Sequence, residues 1–289
     1  MKKWISLLGI MILLLCGCQT QGKTADIAAT TLPVYEFTTQ LCQGTELTVA
    51  QLVTENVSCL HDYALNVGQV RTLEAAKLVV ISGAGLEEFM EDLLQQKQII
   101  DASSGITLKE SCHEHDHHDE HRHHSQADSH IWLSPDNAKA MAKNICQGLA
   151  AQYPQHAQIF QENLAVLLSQ IQALEEYADR ELSELSCRQI ITFHDGFTYF
   201  ADYFGLTILA AVEEESGAEA SAAELKEMIG IVEENNLSAI FVEKNGAVSA
   251  ASIIAAETGA TIYTLDMAMS GSWFAAMYQN IDTIKEALG

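Results

Sequence analysis

The chain is poor in basic side chains: its 289 residues include 15 Lys and Arg against 39 Asp and Glu, a net charge of -24. Nucleic-acid-binding proteins present a basic face, so this balance argues against that class. It also disfavours adsorption of the protein body onto anionic lipid. Because 48 % of the residues are hydrophobic and 19 % are charged, the chain can bury a sizeable core. The expected class is an acidic globular protein whose surface attracts cations.

The sequence also has no apolar run of membrane-spanning length. One run, "WISLLGIMILLLCGC" at residues 4–18, follows two lysines and gives way to polar residues, a pattern typical of a secretory signal peptide. Its last four letters resemble a bacterial lipobox, which predicts cleavage before Cys18 and lipidation of that residue. A plain signal peptide with two incidental cysteines is the alternative. We therefore expect a signal peptide at residues 1–17, a polar tether at residues 18–26, and an extracytoplasmic protein that its lipid anchors to the bacterial cell membrane.

The cysteines beyond Cys18 contain no CxxC pair, which excludes a thiolate zinc finger. Their number is odd, so at least one thiol is free or shared between molecules. Export makes disulfides possible, and two pairings are open, Cys42 with Cys59 and Cys146 with Cys187. The alternative is that these side chains are small buried hydrophobes. The set consists of Cys42, Cys59, Cys112, Cys146 and Cys187.

Short β-rich apolar runs alternate with helical patterns along the chain, which predicts an α/β fold with mostly parallel sheets. Residues 155–185 lack Gly and Pro, and a helix of that length could connect two lobes. We therefore predict two α/β lobes, each a mostly parallel sheet flanked by helices, joined by one long helix. The expected divisions are an N-terminal lobe at 27–153, the connecting helix at 154–185 and a C-terminal lobe at 186–289.

Several helices have recognisable ends. Ser134 followed by Pro135 is typical of an N-cap with a first-turn proline, and Ser221 with Glu224 predicts a capping box. Gly205 and Gly259 are expected to stop two helices of the second half. The predicted helices include Val34–Gln43, residues 86–96 and Trp273–Leu288.

Seven of the eleven histidines lie in "HEHDHHDEHRHH" at residues 113–124. The segment has no apolar side chain, so it cannot pack and is expected to form a loop of the N-terminal lobe. Part of it matches HExxH, but no apolar face is present to seat the helix that this motif requires. We expect the loop to bind metal as an auxiliary site; a solvated insertion with no role in transport is the alternative. Its candidate ligands are His113, His115, His117, His118, His121, His123 and His124.

Four other side chains lie where strands or loops lead into helices: His61, His130, His194 and Asp266. Ligands of open α/β sheets bind beyond the carboxyl ends of the strands, so these positions can converge on one cleft. Three imidazoles and one carboxylate would make a tetrahedral shell suited to zinc. For any single histidine the alternative is a capping or hydrogen-bonded role. The remaining histidine, His156, is expected at the surface.

The order of several motifs resembles one protein family. "TTLPVYEFT", "HDY" at 61–63, "SGAGLEEF", the histidine-rich insert, "HIWLSPDNA" and "FHDGFTYFADYFGL" are similar to segments of the zinc-type solute-binding lipoproteins of metal ABC importers. This family is also called ZnuA-like or cluster A-I. The similarity extends over essentially the whole mature chain. It implies two lobes joined by a rigid helix, with the metal bound between them.

The resemblance also implies a function and a ligand set. Its metal ligands correspond to His61, His130, His194 and Asp266, and imidazole at position 194, where manganese- and iron-type relatives tend to carry Glu, favours Zn2+. The expected function is capture of Zn2+ and delivery to an ABC permease by a monomer without enzymatic activity. Asp62, Asp195 or backbone carbonyls are expected to orient the rings. The alternatives are a manganese- or iron-binding homologue, a lipid-anchored adhesin with a structural metal site, and a secreted zinc hydrolase.

Overall fold

The computed structural model describes residues 25–54, 60, 63–110, 127–211 and 220–289. The predicted signal peptide with Cys18, the ligand candidate His61, its neighbour Asp62 and the histidine-rich segment 113–124 lie outside these ranges. Within them, no helix is both long and apolar enough to cross a membrane.

The N-terminal lobe is built on a four-stranded sheet in which all strand pairs are parallel, with the order β2-β1-β3-β4. Helices cover both faces of this sheet, as parallel strands buried on two sides require. The strands are β1 Ile27–Ala29, β2 Val49–Gln51, β3 Leu78–Ile81 and β4 Gln98–Asp101, and the helices are α1 Leu32–Leu41, α2 Val67–Ala75, α3 Glu91–Leu94 and α4 Pro135–Gln152.

The C-terminal lobe repeats this arrangement with a second parallel sheet in the order β6-β5-β7-β8. Each sheet thus places its second strand outermost, next to its first, although the two halves share no convincing sequence repeat. The strands are β5 Gln189–Thr192, β6 Thr207–Ala211, β7 Ala239–Glu243 and β8 Thr261–Leu265, and the helices are α6 Thr198–Phe204, α7 Ala222–Glu234, α8 Ser249–Thr258 and α9 Trp273–Leu288. The predicted α/β fold of two parallel-sheet lobes is confirmed.

One long helix, α5 at Ala157–Glu181, runs between the lobes. Its 25 residues correspond to about 37 Å. The predicted helix began at residue 155, but a 3-10 turn occupies Pro154–His156. On the N-terminal side α5 packs against α1 and α4, and on the C-terminal side it packs against α9.

The burial pattern of the strands explains their continuous apolar runs. In β7, Phe241 belongs to a core cluster that extends from the N-terminal lobe through α5 into the C-terminal lobe. Its neighbours Ile240 and Val242 belong to a second cluster, beneath α7 and α8. Successive side chains of a strand point to opposite faces, so both faces of the sheet are buried. The carboxyl ends of the strands remain as the edge where polar side chains can meet.

One prediction about local structure was wrong, and for the described cysteines the structure favours the alternative to disulfides. The helix predicted at residues 86–96 is a 3-10 turn followed by the four-residue α3. The side chain of Glu87 does not project from a regular helix. It is buried and accepts hydrogen bonds from the backbone N–H groups of Ser82 and Gly83. Cys146 and Cys187 are free thiols and do not form the disulfide considered for them. Cys42 is also a free, buried thiol, whereas Cys59 and Cys112 lie outside the described residues.

Candidate metal site

His130 lies at the start of a 3-10 turn that leads into α4, and it is 6 % exposed. Its Nδ1 is 2.8 Å from Oδ1 of Asp128, which also accepts a hydrogen bond from the His130 backbone N–H at 2.8 Å. A carboxylate can only accept, so the proton of the ring sits on Nδ1. The lone pair of Nε2 is therefore available to a metal ion.

Asp128 is itself held by the opposite lobe. The hydroxyl of Tyr199, at the start of α6, donates to the backbone carbonyl of Asp128 at 2.9 Å. Burial raises the pKa of Tyr199, and the nearby Asp128 carboxylate raises it further. The phenol therefore stays protonated and remains a donor. The backbone N–H of Asp128 donates to the carbonyl of Lys109 at 2.9 Å, so the segment before His130 is fixed on both sides.

His194 approaches His130 from the C-terminal lobe. It follows β5 by two residues, at the carboxyl end of the sheet. The Nε2 atoms of His194 and His130 are 3.5 Å apart, and the rings are nearly perpendicular at a centroid distance of 5.2 Å. Two nitrogens bound to one tetrahedral zinc at 2.0–2.1 Å would lie about 3.3–3.4 Å apart. The two nitrogens thus have the spacing of two ligands of a single zinc ion.

Gly196 makes this approach of the two rings possible. A Cβ at this position would lie 2.8 Å from Cδ2 of His194 and 3.0 Å from Nδ1 of His130, as well as 2.3 Å from Cε of Met267. Contacts this short would force the rings to move. The glycine in "FHDGF" is therefore explained by the space that the two imidazoles occupy.

A second carboxylate lies behind His194. Oε2 of Glu243, the last residue of β7, is 3.9 Å from Nδ1 of His194. The distance is too long for a hydrogen bond, but the carboxylate adds negative charge beside the ring, which favours a bound cation. The expected ring-orienting residue Asp195 is buried next to His194, and Asp62 lies outside the described residues. The structure adds Asp128 and Glu243, which sequence reasoning missed; the "DSH" spacing of Asp128 and His130 was the available signal for the first.

Asp266 directly follows β8 and is 6 % exposed. Its carboxylate is occupied by two neighbours: Oδ2 is 2.7 Å from Nζ of Lys244, and Oδ1 accepts from the backbone N–H of Ala268 at 2.8 Å. Cε of the next residue, Met267, lies close to Gly196, 2.3 Å from where a Cβ at that glycine would be. Asp266 is therefore anchored at the carboxyl end of the C-terminal sheet, and within the described residues its carboxylate does not form a metal-binding group with the two histidines. Sequence reasoning also missed its partner Lys244.

The described parts of the chain bring together two of the four predicted ligands. Across these ranges, no group of three or more His, Cys, Asp or Glu side chains has an arrangement that could hold a metal ion. The third imidazole, His61, lies outside them. His156, which was expected at the surface, is partly buried: it is the last residue of the 3-10 turn before α5, and its Nε2 lies 3.1 Å from Oε1 of the exposed Glu46.

Comparison with known proteins agrees with the family resemblance of the sequence motifs. The family model described as "Zinc-uptake complex component A periplasmic" matches residues 27–287. The zinc-binding lipoprotein AdcA of Streptococcus pneumoniae serotype 4 is 30 % identical over 310 residues, which cover 99 % of this chain and 61 % of AdcA. This chain therefore spans about three fifths of the length of that relative.

Two solved structures extend the comparison to the fold. A crystal structure of ZnuA is 30 % identical and covers 92 % of this chain and 100 % of its own, with a TM-score of 0.79. A ZnuA deletion mutant with zinc bound is 29 % identical and covers 92 % of this chain and 98 % of its own, also with a TM-score of 0.79.

Proposed function

This chain belongs to the family of periplasmic zinc-uptake components that includes ZnuA, and from that premise we propose that it captures Zn2+ outside the cytoplasm and delivers it to an ABC permease. The observation that carries the proposal is the 3.5 Å separation of the Nε2 atoms of His130 and His194, contributed by different lobes. Neutral imidazole is a preferred ligand of zinc, and the Asp128 contact presents the unprotonated nitrogen.

The proposed ligand set is His61, His130, His194 and Asp266. Four protein ligands leave no position for an activated water, which distinguishes a binding protein from a zinc hydrolase. We further propose that Cys18 carries the lipid that holds the protein at the cell membrane, and that the histidines of residues 113–124 bind additional zinc weakly. The relatives that carry zinc, AdcA and ZnuA, support the choice of metal.

Calorimetric titration of the purified protein with Zn2+ tests the site. We expect His194→Ala to lower the affinity of the tight site by at least about 100-fold, since the loss of one imidazole removes a metal–ligand bond. Deletion of residues 113–124 is expected to remove only weak sites. His156→Ala is the matched control, because that histidine lies away from the cleft and should leave zinc affinity unchanged. If the loop deletion alone abolished tight binding, the cleft would not be the transport site.

Titration of Zn2+ in competition with Mn2+ tests the choice of metal. We expect zinc to displace manganese, because three imidazoles favour the softer ion. Preferential manganese binding would instead support the manganese- or iron-type alternative.

Delivery to a permease requires a cellular measurement. In cells that lack this gene, uptake of radioactive zinc at submicromolar concentration should be restored by the wild-type gene and by the His156→Ala variant, but not by His194→Ala. Equal uptake with and without the gene would contradict a role in transport even if the purified protein binds zinc.

A further inference from the structure

We propose that Lys244 determines the metal selectivity of this site by competing with the metal ion for the carboxylate of Asp266. The inference rests on the proposed zinc site and concerns a residue outside the predicted ligand set. Nζ of Lys244 lies 2.7 Å from Oδ2 of Asp266, and the two side chains are 44 % and 8 % exposed. The ion pair is thus half-covered on the lysine side and buried on the aspartate side.

The register of the sheet places the two residues beside each other. In the parallel pair β7–β8, Glu243 is opposite Leu265, and the backbone N–H of Lys244 donates to the carbonyl of Leu265 at 2.8 Å. Lys244 follows Glu243, the last residue of β7, and Asp266 follows Leu265, the last residue of β8. Both therefore leave the sheet at its carboxyl edge, where the imidazole of His194 also lies.

The other polar atoms of Asp266 are already engaged. Oδ1 accepts from the N–H of Ala268, whose φ of 57° lies in the left-handed region. The backbone N–H of Asp266 donates to Oδ1 of Asn280 at 2.7 Å, and Nδ2 of Asn280 donates back to the Asp266 carbonyl at 2.8 Å. Asn280 is fully buried. The carboxylate is thus held by its backbone, and Oδ2 is the oxygen that a metal would have to take from Lys244.

This competition affects different metals unequally. A carboxylate oxygen that Lys244 also contacts is a weaker metal ligand. Weakening this one bond costs little to an ion that gains most of its binding energy from imidazole nitrogens, as expected for Zn2+. Mn2+ prefers oxygen ligands and needs the carboxylate. The charge of Lys244 also repels every divalent cation, but that effect is the same for both metals. The ratio of zinc to manganese affinity therefore isolates the competition for Asp266.

The test is a double-mutant cycle on the full chain, with ZnCl2 and MnCl2 titrated separately. We expect Lys244→Met to raise manganese affinity about tenfold relative to zinc affinity, as a freed carboxylate is a stronger ligand for a hard cation. In the Asp266→Asn background the same substitution should leave the ratio unchanged. The electron paramagnetic resonance spectrum of bound Mn2+ should change with Lys244→Met only when Asp266 is present.

Two further variants serve as controls. Lys77→Met breaks a lysine–aspartate pair of 3.2 Å with Asp26, in the N-terminal lobe, and should leave the ratio unchanged. Lys244→Arg keeps a charged donor beside Asp266, so it should retain the wild-type ratio. This variant can still be measured if Lys244→Met folds poorly. An unchanged ratio in a folded Lys244→Met protein that still binds zinc through His194 would overturn this inference alone. Loss of the zinc site itself would appear as equal affinities of wild type and His194→Ala, and would overturn the proposed function instead.

Discussion

The indole Nε1 of Trp273 donates to the backbone carbonyl of Trp132 at 2.9 Å, so the first turn of α9 in one lobe is bonded to the turn after His130 in the other. A second bond crosses in the opposite direction, because Nε1 of Trp132 donates to the backbone carbonyl of Met267 at 2.8 Å. Both indoles are fully buried. The two lobes are therefore joined next to the candidate metal site as well as by α5.

Trp273→Phe should destabilise the protein by about 2–4 kcal/mol. The change removes the donor, leaves the buried carbonyl of Trp132 without that partner, and opens a small cavity. Urea denaturation followed by circular dichroism measures the effect. Tyr177→Phe is the control: its hydroxyl donates to Asp282 at the outer surface, so its loss should cost less than about 0.5 kcal/mol. Equal stabilities of the two variants would contradict a structural role for the interlobe bond.

Asp128→Asn should reduce zinc affinity about 10- to 100-fold, because the carboxylate that orients His130 is replaced by a neutral amide. Calorimetric titration gives the affinity, and the unfolding midpoint of the metal-free protein shows whether the fold is retained. Asp136→Asn removes an exposed carboxylate paired with Lys139 and should have no effect on zinc affinity. Unchanged affinity in Asp128→Asn would mean that this carboxylate does not determine the ring tautomer.

Gly196→Ala should weaken zinc binding at least about tenfold, since a methyl group there overlaps the positions of both imidazole rings. Gly230→Ala makes a useful comparison because its Cβ in α7 would meet no atom within 4 Å. That variant should be more stable by about 0.5–1 kcal/mol and bind zinc normally. Normal zinc affinity in Gly196→Ala would show that the rings can separate without penalty.

Burial raises the pKa of Glu87 to about 7, against the effect of three hydrogen bonds that Thr30, Ser82 and Gly83 donate to its carboxylate. Between pH 4.5 and 7 the folded protein therefore holds a proton that the unfolded chain has released. Glu87 therefore contributes about 3 kcal/mol to the free energy of unfolding below pH 4.5. This contribution is lost as the pH rises through 7.

Denaturation across this pH range checks the prediction. Glu87→Gln should abolish this decline in the free energy of unfolding, whatever its effect at a single pH. Glu88→Gln removes the exposed neighbouring carboxyl and should keep the wild-type slope. Parallel pH profiles for wild type and Glu87→Gln would be the contrary result.

Local signals explain which elements were predicted closely. Helix α9 has the predicted bounds because Ser272 accepts a hydrogen bond from the N–H of Ala275 and apolar residues recur at helical spacing after it. Helix α7 begins after the predicted capping box of Ser221 and Glu224. Gly205 ends α6 with a φ of 67°, a conformation that glycine adopts without strain. Each signal acts within a few residues, so sequence alone suffices.

The prediction at residues 86–96 failed for a non-local reason. The apolar spacing is helical, but Glu87 turns inward to bind backbone N–H groups at the end of β3 and the hydroxyl of Thr30 at the end of β1. Helical periodicity carries no information about such partners. The same limit applies to the site: the position of His194 after an apolar strand was visible, whereas the pairing of Lys244 with Asp266 depends on the register of β7 against β8.

The order of strands, helices and caps, and the candidate histidines at their junctions, follow from the sequence because periodicity and capping are properties of neighbouring residues. The separation of the His130 and His194 nitrogens, the tautomer that Asp128 imposes and the partner of Asp266 were decided by the tertiary structure. The first and the last join groups from distant parts of the chain, and Asp128, although only two residues from His130, is held in place by Tyr199 of the other lobe. Contacts of that kind exist only after two sheets and their helices have packed into one shared core.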